Sequence, residues 1–244
     1  MGEAVHLVRL GGPSSGAGAD LRGALSACGP GSDMLGGLAV LGPSVPGHTV
    51  EAVLVAPRGL VVVVAVDLPD PAMRVEAPLD GPWLVDGWVL RRADGAVNPV
   101  DEARAATAAV RRLAGDRPGC GALIALGPFA ERVVQPPDEL DRGVRVVHPS
   151  RRSVRDAVHG LLAASDPIGP DRAAGVLAAL GCPPPQAAVL AAEGFTVARV
   201  PAPPAVPVAR EQRPATAQRW RQLGWVAAGT TLAVLLSITV AALL

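Results

Sequence analysis

The sequence predicts an α/β fold, a mixed β-sheet flanked by helices, with one transmembrane helix at its C-terminal end. Three observations carry this. Residues 52–67 hold two apolar runs, AVLVAP and GLVVVVAVD, around a turn at Pro57-Arg58-Gly59 that is too short for anything except an antiparallel hairpin. Residues 98–113 combine a helix-starting Asn-Pro with apolar residues at helical spacing and lead into another apolar run, GALIALGP. The last 22 residues, Leu223 to Leu244, carry no charge.

Taken in order, MGEAVHLVRLGGPSSGA (1–17) has neither a basic segment nor an apolar signal core, and reads as a flexible lead-in. His6 stands where a myristoylation signal needs Ser or Thr. GADLRGALSAC (18–28) fits a first helix with Leu21 and Leu25 on one face, and LAVLGP (38–43) a strand. In the hairpin that follows, near-continuous valine indicates a second strand buried on both faces. WLVDGWVLRR (83–92) is a further hairpin turning at Asp86-Gly87. Asn98 then caps a helix with Pro99 in its first turn, Asp101 and Glu102 placed to suit the helix dipole, and Gly115 at its end. GALIALGP (121–128) and VRVVHP (144–149) are strands, and 150–164 is a helix capped by Ser150 or Ser153. Helices near 173–181 and 185–194 form an extension over 165–195.

Beyond it, residues 196–222 are rich in proline and lack period, as expected of a semi-extended juxtamembrane linker. The uncharged span of 223–244 would be about 33 Å long as a helix, against a hydrocarbon core of roughly 30 Å. Arg210, Arg213, Arg219 and Arg221 precede it, with Trp220 and Trp225 near the interface. These features predict a single-pass, tail-anchored protein in the cell membrane, with the α/β domain on the cytoplasmic face.

Composition removes several function classes. The chain has no lysine, so Schiff-base chemistry and a phosphate-loop ammonium are excluded. Two Phe, four Trp and no Tyr supply poor stacking platforms for single-stranded nucleic acid. Lys+Arg and Asp+Glu cancel at 22 each, so no overall basic field favours nucleic acid. Cys28, Cys120 and Cys182 lack CxxC spacing and read as buried thiols of a reducing compartment. The four histidines show no metal-binding spacing. The abundance of Arg, Ala, Gly and Pro points to a GC-rich genome.

Three stretches carry a family resemblance. The hairpin GHTVEAVLVAPRGLVVVVAVD is similar to an acid, apolar strand, turn and second strand; GPWLVDGWVLRR is a Trp-bearing hairpin; NPVDEARAATAAVRRL is an Asn-Pro helix followed by GALIAL. Their order and spacing over about 18–164 resemble the nuclease-related domain, NERD, of the PD-(D/E)XK restriction-endonuclease-like superfamily. The resemblance implies a restriction-endonuclease-like sheet. In active members it also implies a first acid on a hairpin strand, then an acid and a lysine two residues apart on the next. There the carboxylates hold Mg²⁺ and the ammonium orients the nucleophile. Here Glu51 matches the first acid, while Val64 and Val66 fall at the second acid and the lysine, and Glu102 falls where a glutamine is common.

One carboxylate alone does not assemble a Mg²⁺ site, so the expectation is a retired active site with no catalytic residue, cofactor or metal. Glu51 is expected as a solvated side chain at a strand start. In a counter-reading Asp67 replaces the missing acid and an arginine the lysine. That slip puts side chains on the other face, and Arg is a poor substitute for a tunable ammonium. Three functions follow: a membrane-tethered, inactive NERD-like module that binds an unidentified protein or nucleic-acid partner or serves as a scaffold; a Mg-dependent nuclease acting on DNA or RNA; and a membrane protein that homo-oligomerises through Ala227, Ala228 and Gly229 of its tail.

Overall fold

The valine-rich hairpin lies inside a six-stranded mixed sheet. The computed structural model describes residues 6–28, 35–92, 95–115, 119–163, 165–183 and 185–195, all within one compact unit, Met1–Ala198. β1 (His6–Arg9) leads to α1 (Gly16–Ser26) and β2 (Leu38–Leu41); β3 (Ala52–Ala56) and β4 (Gly59–Asp67) form the hairpin. β5 (Ala72–Glu76) is followed by the short strands β6 (Leu84–Val85), β7 (Trp88–Val89), β8 (Arg91–Arg92) and β9 (Gly95–Ala96), then α2 (Pro99–Ala114). β10 (Cys120–Gly127), β11 (Ala130–Val134), β12 (Val144–Val147) and the helices α3 (Arg151–Leu162), α4 (Pro170–Ala179) and α5 (Ala187–Ala192) complete it.

The main sheet runs β1-β2-β3-β4-β10-β12. β2, β3 and β4 are antiparallel neighbours, whereas β1 with β2, β4 with β10 and β10 with β12 are parallel pairs. Parallel neighbours need a crossover, and α2, with the short strands before it, provides the one from β4 to β10. Helices cover both faces, which explains the valine run. Val62, Val64 and Val66 sit in the cluster with Val100, Ala103 and Val110 of α2, while Val61 and Val63 sit with Leu21 and Leu25 of α1 and Val154 and Val158 of α3. A smaller sheet, β11-β5-β6-β7, turns at Asp86-Gly87 as expected, with φ of 48° and 86° at those residues, as a left-handed two-residue turn requires.

Helix capping follows local chemistry. The Asn98 side chain accepts from the Val100 N–H at 2.9 Å, and its amide donates to Leu79 O and Gly81 O at 3.2 and 2.7 Å. It therefore ties α2 to the preceding loop, and Asn98→Ala is expected to lower stability by about 1–2 kcal/mol in denaturant unfolding. Both serines offered for α3 are used: Ser150 is the N-cap and Ser153 closes a reciprocal capping box.

The structure differs from the sequence expectations in several places. The 1–17 lead-in contains an ordered strand, β1, and Ser15, the N-cap of α1, so that helix begins at Gly16 rather than 18. β5 and β11, parallel partners, were not anticipated. The helical extension over 165–195 packs into the domain: Ile168, Val176, Leu177, Leu190 and Phe195 lie in the same core cluster as α2. Gln135 closes the outer edge of β12, its amide donating to Val144 O at 2.9 Å and accepting from Val146 N–H at 3.2 Å. Among the described residues no helix is long and apolar enough to cross a membrane; the 196–222 linker and the 223–244 span lie outside them.

Candidate functional site

The two acids that flank the hairpin both end at the start of α1. Leu10 to Ser15, a Gly/Ser-rich loop, joins β1 to that helix and leaves its first N–H groups to be satisfied. Asp67, the last residue of β4, takes two of them: Gly16 N–H donates to Oδ2 at 3.1 Å and Ala17 N–H to Oδ1 at 2.8 Å. Gly18 N–H donates to Ser15 Oγ at 3.0 Å, and Ala19 N–H to Ser15 O at 3.1 Å. All four donors are spoken for. A helix N-terminus after a glycine-rich loop is an anion site, and here the anion is the protein's own carboxylate.

Glu51 is not solvated, as the sequence suggested, but 1% exposed. Its Oε2 accepts from Ser14 N–H at 2.9 Å and Ser14 Oγ–H at 2.6 Å; its Oε1 accepts from Arg22 Nε–H at 2.6 Å. Arg22 spends its other nitrogens on the loop carbonyls of Gly11 and Gly12, at 2.7 and 2.6 Å. The charge is buried because it is paired and fully hydrogen-bonded. The backbone of α1 can pack this close to the carboxylate because residue 18 is glycine: a Cβ there would stand 2.5 Å from Oε2.

A local irregularity aims Glu51 at α1. Its N–H donates to Val63 O at 2.9 Å, yet the register partner of Val63 is Ala52, so two residues oppose one, as in a β-bulge. Strict alternation with Val53 and Val55, which lie in the α2-side cluster, would point Glu51 the other way.

This placement separates the four positions carried over from the resemblance. Val64 and Val66, 2% and 1% exposed, pack in the α2-side cluster, on the opposite face from the groups that hold Glu51. Glu102 lies in the first turn of α2, on that far side too. The acid that does share the α1 face with Glu51 is Asp67, the residue of the counter-reading, and Arg22 is paired with Glu51 alone of the two. Sequence reasoning did not single out Arg22, Ser14 or Ser15. Their signal was the strand, glycine-serine loop and helix order, with a cation nearly two turns into the helix.

The residues do not fit Mg²⁺. Both oxygens of Glu51 face donors, one of them a guanidinium, where a metal needs free lone pairs and low positive charge. Both oxygens of Asp67 point at backbone N–H groups. Among the described residues no group of three or more His, Cys, Asp or Glu side chains is arranged to hold a metal ion. No protein-family model, no curated protein and no solved structure matches this chain.

Proposed function

We propose that the chain is a membrane-tethered, catalytically inactive NERD-like module that serves as a binding or scaffold domain on the cytoplasmic face. The observation that carries the loss of catalysis is the engagement of both acids by protein donors: Glu51 closes the β1–α1 loop through Ser14 and Arg22, and Asp67 caps α1. The order of hairpin, Asn-Pro helix and parallel strand supports the NERD-like reading. The uncharged span from Leu223 and the arginines before it support the tether.

The test is cleavage. With Mg²⁺ or Mn²⁺, the full chain is expected to leave plasmid, single-stranded DNA and RNA intact. Cutting that is lost on Asp67→Asn or Glu51→Gln would overturn the reading in favour of a Mg-dependent nuclease. For the tether, deletion of 223–244 is expected to move the protein from the membrane to the soluble fraction. A truncated protein that still resists alkaline extraction would end that part.

A further inference from the structure

Away from Glu51, on the other face of the sheet, three arginines from two segments line one cleft. It lies between α2 and the start of β12 and has a volume of about 200 Å³. Arg104 and Arg111 stand two turns apart on α2 with Thr107 between them; Arg142 comes from the loop before β12, and Cys120 of β10 and Gly143 also line it. We propose that this cleft binds a phosphoryl group, carried by a phosphomonoester or by a nucleic-acid backbone, clamped by Arg104, Arg111 and Arg142. The inference does not rest on the retired-site reading.

The structure already holds an oxyanion between two of these guanidiniums. Asp80 places Oδ2 2.9 Å from Arg142 Nη1 and Oδ1 3.5 Å from Arg104 Nη1. Those two arginines therefore converge on one anion position, and they hold the Asp80 carboxyl below its usual pKa. Asp80 is itself 64% exposed and lines the adjoining cleft, and exposed ion pairs are weak, so a group with more charge competes for the same two arginines. The other nearby acids leave capacity. Asp101 is 4.0 Å from Arg104, and Glu139 is 3.7 Å from Arg142 while its second oxygen accepts from Leu79 N–H at 2.7 Å.

Arg111 has no carboxylate partner among the described residues. Its neighbour Cys120 does not neutralise it: burial pushes that thiol up to about 12, against the pull of Arg111, so it stays protonated. Arginine forks match phosphate oxygens in pairs, which favours a phosphoryl group over a point anion. The volume is below the roughly 300–1,000 Å³ of whole-ligand pockets, so the cleft seats one charged group and leaves the rest of its carrier outside.

Calorimetric titration of the full chain with inorganic phosphate, AMP, adenosine and a short single-stranded oligonucleotide tests this. Arg111→Gln and Arg142→Gln are compared with Arg132→Gln, which removes an equal charge from exposed β11. Binding by phosphate or AMP but not adenosine, weakened about tenfold or more by the two cleft variants and within about twofold of wild type in the third, supports the site and a monoester source. The same pattern with the oligonucleotide alone supports it with a nucleic-acid source. Equal loss in all three variants reveals diffuse charge attraction and overturns it, as does no binding of any phosphate-bearing probe at about 10 mM.

Discussion

Changing Val64 to glutamate and Val66 to lysine together is expected to cost at least about 4 kcal/mol and to create no nuclease. On a bare reading of the strand, this pair restores an acid and an ammonium on one face beside Glu51. In the structure that face is the packed interface with α2, where both valines are essentially unexposed and lie in an apolar cluster of the described residues. The new charges would have only each other, and a buried pair recovers its desolvation cost only with further hydrogen bonds. Urea unfolding and a cleavage assay on the same preparation check this. A variant that folds with near wild-type stability and cuts DNA with Mg²⁺ would show that Glu51 and β4 present a common face after all.

Glu51→Ala is expected to destabilise the domain by about 3 kcal/mol, an effect large for a residue at a strand start. Removing the carboxylate takes the acid from Arg22, whose side chain is 14% exposed, and leaves the Ser14 N–H and hydroxyl without their buried acceptor. It also opens a space under Gly18. Glu51→Gln keeps the shape and one acceptor and is expected to lose less. Denaturant midpoints at constant slope separate the two variants. The ordering matters, because a residue kept for chemistry behaves in the opposite sense: its removal leaves stability unchanged or raises it.

What could be read from the sequence was what is encoded within a few residues. The Pro57-Arg58-Gly59 turn, the Asp86-Gly87 turn, the Asn98-Pro99 helix start and the serines before α3 each carry their own short-range chemistry, and the structure uses each. The valine run announced double-sided burial but not which side each valine faces, because a bulge at Glu51 and Ala52 resets the alternation relative to the preceding acid. β1, β5 and β11 are short, and each is held by a parallel partner that is distant in sequence, so nothing local marks them. The pairing of Glu51 with Arg22, 29 residues apart, and the reach of Asp67 to Gly16 and Ala17 are likewise tertiary facts. The acids were visible as acids; their partners were not.

The central claim is that Glu51 is a structural counter-ion and not a metal ligand, and a double-mutant cycle between Glu51 and Arg22 tests it most directly. The unfolding free energies of wild type, Glu51→Ala, Arg22→Ala and the double variant give their coupling, measured with and without Mg²⁺. The account predicts a coupling of about 2 kcal/mol or more, the same in both conditions. A coupling within about 0.5 kcal/mol of zero, together with Mg²⁺ stabilising wild type but not Glu51→Ala, would contradict it.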